Sequence, residues 1–296
     1  MFFVQFITLF LLTLFFSWSL FLLASPKKKK PVSPESSISI LMIILEIILV
    51  LILVLASLGE AVLGLVMGVN LIGFLLTPGL VPLLHGSTKV KVKNLRLDFL
   101  AVFLISALPL IFLKDFQVSR GEGLFLLLIG VFFFSWRWHL SRLLYKRIVI
   151  KKKRKLSWRL VLGFLLATIF FLLSLLMIFS LELTPSLFIL GLLPLALLVS
   201  LPEILINLEL IKNKPLVFLD GLLLPLVFNT TFILGLAAFL SPLRITNLFV
   251  YLKTALLFLI GFVIFYFFAW SKRRIDRLEG LILTLYFFLA LIVILI

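Results

Sequence analysis

Apolar residues run in long stretches along this chain, separated by short segments where prolines, polar residues and above all lysines and arginines collect. A helix needs about 17–25 mostly apolar residues to cross ~30 Å of hydrocarbon. By that measure the pattern predicts ten spans, near residues 2–25, 38–56, 61–84, 97–113, 123–136, 160–180, 187–211, 215–240, 248–270 and 279–296. The fifth is short for a crossing and extends into the amphipathic stretch that follows it. The expected fold is an all-α integral membrane protein.

Composition agrees with that pattern. Of 296 residues, 64% are hydrophobic, 33 are Phe and only 14% are charged, a balance that a soluble globule of this size could not solvate. The absence of cysteine excludes disulfides and thiolate metal sites. A net charge of +16 would suggest nucleic acid in a soluble chain. Here the basic residues lie between spans, where they report topology, so no nucleic-acid partner is expected. The first span has no basic residue before it and is followed by Lys27, Lys28, Lys29 and Lys30, which reads as an anchor with its N-terminus outside. Alternate loops then carry Lys27–Lys30, Lys89–Arg96, Arg137–Arg159, Lys212–Lys214 and Lys272–Arg277, which together hold 24 of the 28 basic residues. The positive-inside bias therefore places both termini outside. An unbroken N-terminal anchor without a transit or signal peptide favours a prokaryotic plasma membrane.

Two acidic residues stand inside apolar stretches, and a charge at the centre of a bilayer costs about 3 kcal/mol or more. Leu45-Glu46-Ile47-Ile48-Leu49 recurs in kind as Pro202-Glu203-Ile204-Leu205-Ile206, 157 positions later. Each is followed by a short polar break and a second apolar span broken by small or polar residues. The first of these contains Gly64, Gly68, Asn70, Gly73, Pro78 and Gly79, and the second sets Asp220, Asn229 and Gly235 against Gly64, Gly73 and Gly79. An odd number of spans per half puts the halves in opposite orientations, a recurring transporter plan with its site at the midplane. Ser57-Leu58-Gly59-Glu60 also resembles Ser200-Leu201-Pro202-Glu203 and would pair Glu60 with Glu203. That register leaves no room for the polar break before Gly64, so Glu46 is preferred.

The order Ser200-Leu201-Pro202-Glu203, a short basic turn, Phe228-Asn229, Leu234-Gly235 and Ser241-Pro242 resembles the second alpha repeat of the sodium/calcium exchanger (cation/calcium antiporter) superfamily. Gly64, Gly68 and Asn70 fall on the family's first-repeat glycine and asparagine pattern, with Glu46 placed 24 residues before Asn70. The resemblance implies ten helices as two inverted five-helix repeats. These are a first repeat over 1–136 with its alpha region at 38–86, a basic cytosolic linker over 137–159, and a second repeat over 160–296 with its alpha region at 187–242. It also implies a cation site made by Glu46, Glu203, Ser200, Asn70 and Asn229, with Thr230 and Asn207 nearby. Three positions depart from the family: Ile43-Ile44-Leu45 replaces the Ser-x-Pro frame before Glu46, Val69 stands where a serine is usual, and Leu226 occupies the place of a third ligand.

Calcium takes six to eight oxygens, and two glutamates, a hydroxyl, an amide and freed backbone carbonyls approach that number; sodium or a proton suits the same donors. Two carboxylates in low dielectric repel, so proton and metal compete there, a means of coupling. The expected partners are inorganic cations and membrane lipids, with Trp136, Trp138, Tyr145 and Trp158 interleaved among the basic residues of the linker. No cofactor, phosphate loop or paired-Asp transferase motif is present in the sequence, and no enzymatic role is expected. The bland alternatives are polar glue between helices for the glutamates and asparagines, and close helix packing for the glycines. At the level of the whole chain, a ten-helix drug/metabolite-type carrier, expected with both termini inside, and a non-transporting homologue serving as a membrane scaffold both remain open.

Overall fold

The computed structural model describes residues 34–90, 95–112, 116–144, 187–201 and 218–296, together with Ile169, Leu173 and Ile204. The predicted first span, nearly all of the sixth, and Pro202, Glu203 and Asn207 lie outside the described residues. What is described is mostly helix. In chain order, α1 is Pro34–Leu55, α2 Gly59–His85, α3 Leu95–Phe112, α4 Arg120–Leu144 and α5 Leu187–Leu201. Next, α6 runs from Phe218 through Phe228 to Leu240, α7 is Leu248–Lys272 and α8 Arg277–Leu295. These eight helices fall on eight of the predicted apolar stretches, α5 being described as far as Leu201, and α4 continues past the short fifth stretch as anticipated. Four helices, Gly59–His85, Leu222–Leu240, Leu248–Lys272 and Arg277–Leu295, are long and apolar enough to cross a membrane.

Burial separates the helices into an inner and an outer set. The apolar window of α2 is 89% buried, whereas those of α7 and α8 are 39% buried. Outer positions such as Phe249, Phe267, Leu278 and Leu289 are exposed, as expected of helices whose outer face meets lipid. Their inner faces pack aromatically. Phe74 of α2 stacks on Phe262 of α7 with ring centroids 4.7 Å apart and meets Phe265 edge-on at 4.8 Å.

The two broken spans are continuous helices that widen rather than stop. α2 takes a π turn at Ile72–Leu76, α5 at Gly191–Leu195 and α6 at Asn229–Ile233. Local chemistry accounts for the widening. Pro194 removes the N–H that an α-helix would give to the Leu190 carbonyl, and Pro78 does the same to Phe74. In α6 the hydroxyls of Thr230 and Thr231 donate to the Leu226 and Val227 carbonyls at 2.8 and 2.7 Å. The π turns of α2 and α6 lie 157 residues apart, the spacing that separates Glu46 from Glu203.

The same spacing recurs at the helix ends. Two short antiparallel ribbons tie the connections: β1 (Thr88–Lys89) pairs with β4 (Arg274–Ile275), and β2 (Gln117–Val118) pairs with β3 (Leu243–Arg244). Each ribbon is extended by one more bond, Val90 N–H to the Arg273 carbonyl at 2.8 Å and Ile245 N–H to the Phe116 carbonyl at 2.9 Å. Phe116 and Arg273 are both left-handed, with φ of 56° and 54°. Beyond them, the Ser119 N–H donates to Glu122 Oε2 at 2.7 Å at the start of α4, and the Asp276 N–H donates to Glu279 Oε2 at 2.9 Å at the start of α8. Ser119-Arg120-Gly121-Glu122-Gly123-Leu124 and Asp276-Arg277-Leu278-Glu279-Gly280-Leu281 are thus one capping sequence used twice. The glycines after the caps do matching work: Gly123 packs on Gly235 of α6, and Gly280 packs on Gly79 of α2. The ribbons join the loop after α2 with that after α7, and the loop after α3 with that after α6.

Candidate functional site

The site begins with a backbone contact. α2 and α5 run side by side with glycines at the crossing: a Cβ on Gly64 would strike the Phe188 carbonyl, one on Gly68 the Leu192 carbonyl and Ala196 Cβ, and one on Gly191 the Ala61 carbonyl. Only glycine admits that approach. Ser200 lies one turn beyond Ala196 on the crossing face of α5, whereas Asn70, two residues beyond Gly68, lies on the side of α2 turned away from that crossing and toward α6. Both are almost fully buried, at 1% and 4% exposure.

A second element completes the cluster. The π turn of α6 brings Asn229 and Thr230 inward, 3% and 2% exposed, and Asn70 Nδ2 donates to Thr230 Oγ1 at 3.1 Å across 160 residues of sequence. α1 packs on both α2 and the same π turn. It carries Glu46, 6% exposed, on the face that includes Leu45, Leu49 and Val50. The Asn70 Oδ1 and Ser200 Oγ atoms are buried with no hydrogen-bond partner among the described residues. Uncharged oxygens left in that condition cost free energy, which a bound ion or water would offset.

Each expected site residue has a definite standing. Glu46, Asn70, Ser200 and Asn229 are all buried, on four helices that pack together, and Asn70 is joined directly to α6. Glu203 falls outside the described residues. Leu226, which stands where a third ligand was expected, buries its side chain, and its carbonyl accepts from Thr230. Glu60, the rival partner for Glu203, sits in the first turn of α2, ten residues and ~15 Å of helix before Asn70. Its Oε1 accepts from the Thr246 hydroxyl at 2.6 Å and the Thr246 N–H at 3.3 Å, binding the α1–α2 turn to the loop before α7. Thr230 is the residue that sequence comparison undervalued. It shares no repeat position with Asn70, and only the fold joins them. Among the described residues no three His, Cys, Asp or Glu side chains gather as metal ligands.

Comparison with known proteins agrees with this architecture. Residues 162–296 match the family model described as sodium/calcium exchanger protein. That is the half in which Ser200-Leu201-Pro202-Glu203 stands intact. No curated protein sequence matches the chain. Among solved structures, the sodium-calcium exchanger NCX_Mj soaked with 2.5 mM Na+ and 10 mM Sr2+ superposes with a TM-score of 0.67 at 18% identity, covering 99% of both chains. The same exchanger soaked with zero Na+ and Ca2+ gives 0.64 at 17% identity, over 98% of this chain and 99% of that one. The H+/Ca2+ exchanger CAX gives 0.61 at 14% identity, over 95% of this chain and 78% of that one. The second half of this chain thus matches the sodium/calcium exchanger family model, and nearly its whole length shares the fold of solved cation/calcium exchangers.

Proposed function

We propose that the protein is a membrane cation antiporter working by alternating access, with its cation site at the midplane between two inverted five-helix repeats. The observation that carries this is a set of buried polar residues on four helices that pack together. Glu46, Asn70, Ser200, Asn229 and Thr230 sit inside apolar helices where such groups are costly, and two of their oxygens have no partner among the described residues. Calcium, sodium or a proton is the substrate. Glu46 and Glu203 supply charge, while Ser200, Asn70 and Asn229 supply neutral oxygens. The recurrence of π turns, ribbons, caps and glycine pairs at spacings of 155–157 residues supports the two-repeat plan with 1–136 and 160–296 as its halves. The charge distribution supports both termini outside. The solved exchangers that share this fold exchange Na+ or H+ against Ca2+, which favours this reading over a drug/metabolite-type carrier.

One observation favours a second reading. Leu226 gives the site no side-chain oxygen, and a chain that has lost a ligand can persist as a non-transporting membrane scaffold. Purified protein in liposomes distinguishes the two. Radiolabelled calcium or sodium should be taken up against an opposed sodium, calcium, potassium or proton gradient; a complete lack of counter-ion-dependent uptake over that panel would leave the scaffold reading.

A further inference from the structure

We propose that Thr230 is a positioning residue that sets which end of the Asn70 amide is offered to the cation. This rests on the antiporter reading above. The Thr230 hydroxyl has one proton, and it is given to the Leu226 carbonyl at 2.8 Å. Toward Asn70 the hydroxyl oxygen can therefore only accept. Asn70 must meet it with Nδ2, as it does at 3.1 Å, and Oδ1 is turned away, buried and free of any hydrogen-bond partner among the described residues. The reversed amide would oppose two acceptors in a site with almost no water access, both residues being at most 4% exposed. A cation needs the oxygen and is repelled by the amide N–H, so this orientation separates a binding amide from a blocking one.

The π turn is part of the device. It begins at Asn229, so Thr230 lies in the widened turn, and its side chain both occupies the Leu226 carbonyl and reaches α2. The Leu226 carbonyl accepts from the hydroxyl, and the Asn70 oxygen is the ligand atom this contact leaves without a partner among the described residues. Thr230 acts through Asn70, and the two should behave as a unit.

The test is calcium uptake by the full chain in liposomes under a sodium gradient, measured against calcium concentration. Thr230→Val keeps the shape and removes both halves of the relay, and Thr230→Ala replaces it should the valine variant fail to fold. The half-saturating calcium concentration is expected to rise about tenfold with little change in maximal rate, and Thr230→Ser should restore the parent value. In an Asn70→Ala background, Thr230→Val should add nothing, since coupled residues are not additive. A valine or alanine variant with the parent's half-saturation, or an effect that adds fully to that of Asn70→Ala, overturns the proposal while leaving the antiporter reading in place. A parent protein that takes up no cation under any gradient removes the antiporter reading and this inference with it.

Discussion

Gly191→Val probes the backbone crossing on which the site is built. A Cβ at Gly191 would overlap the Ala61 carbonyl and lie 2.6 Å from the Leu65 nitrogen, where ordinary contact begins at about 3.4 Å. The obstructing atoms are backbone, so no rotamer relieves them, and α2 and α5 must part by ~0.8 Å at that nitrogen alone. Overpacking of this kind costs about 1–3 kcal/mol. Valine recovers only a few tenths through its better helix propensity. At about 2–4 °C per kcal/mol, the apparent unfolding temperature of the detergent-solubilised protein, followed by tryptophan fluorescence, should fall by roughly 1–11 °C. Gly121→Ala supplies a control of opposite sign. Nothing lies within 4 Å of a Cβ there, so alanine should leave stability unchanged or raise it by up to about 1 kcal/mol. A Gly191→Val protein as stable as its parent would refute the close approach of α2 and α5, the crossing beyond which Ser200 lies.

Three further outcomes follow from the helix ends. Glu122→Ala and Glu279→Ala should each cost about 1 kcal/mol by opening equivalent caps, and hydrogen exchange should speed up in the first turns of α4 and α8 respectively. Thr246→Val removes the 2.6 Å bond to Glu60, and the loss of a hydrogen bond to a charged group should lower stability by about 1.5–3 kcal/mol in the same melt. Because the chain has no cysteine, single cysteines at Lys89 and Gln117 can be labelled cleanly with an impermeant maleimide. From outside an intact cell, the site at 117 should react and the site at 89 should not; the reverse result would invert the proposed topology.

The spans were legible because lipid solvates a whole helix face, so apolar length alone marks each crossing. The buried positions of Glu46, Asn70, Ser200 and Asn229 were legible for a related reason: a polar residue in an apolar run has no solvent to face. The π turns were not, since they arise from which carbonyls Pro78, Pro194, Thr230 and Thr231 leave or take, and hydrophobic pattern does not record hydrogen-bond register. The Asn70–Thr230 bond was hidden because comparing halves aligns equivalent positions, whereas the fold joins unequal ones. One signal could have been read. Ser119-x-x-Glu122-Gly123-Leu124 and Asp276-x-x-Glu279-Gly280-Leu281 repeat at 157 residues as plainly as the glutamates do. They lie at helix starts, outside the apolar spans that hold the glutamates.

The central claim is that Glu46 and Glu203 carry a cation between the two repeats, and counter-ion-driven uptake by purified protein in liposomes tests it most directly. The parent should accumulate calcium or sodium against an opposed cation gradient, and Glu46→Gln and Glu203→Gln, which keep side-chain size and remove charge, should each abolish that uptake while remaining folded. Uptake by both variants at the parent's rate, for every cation transported, would contradict the account.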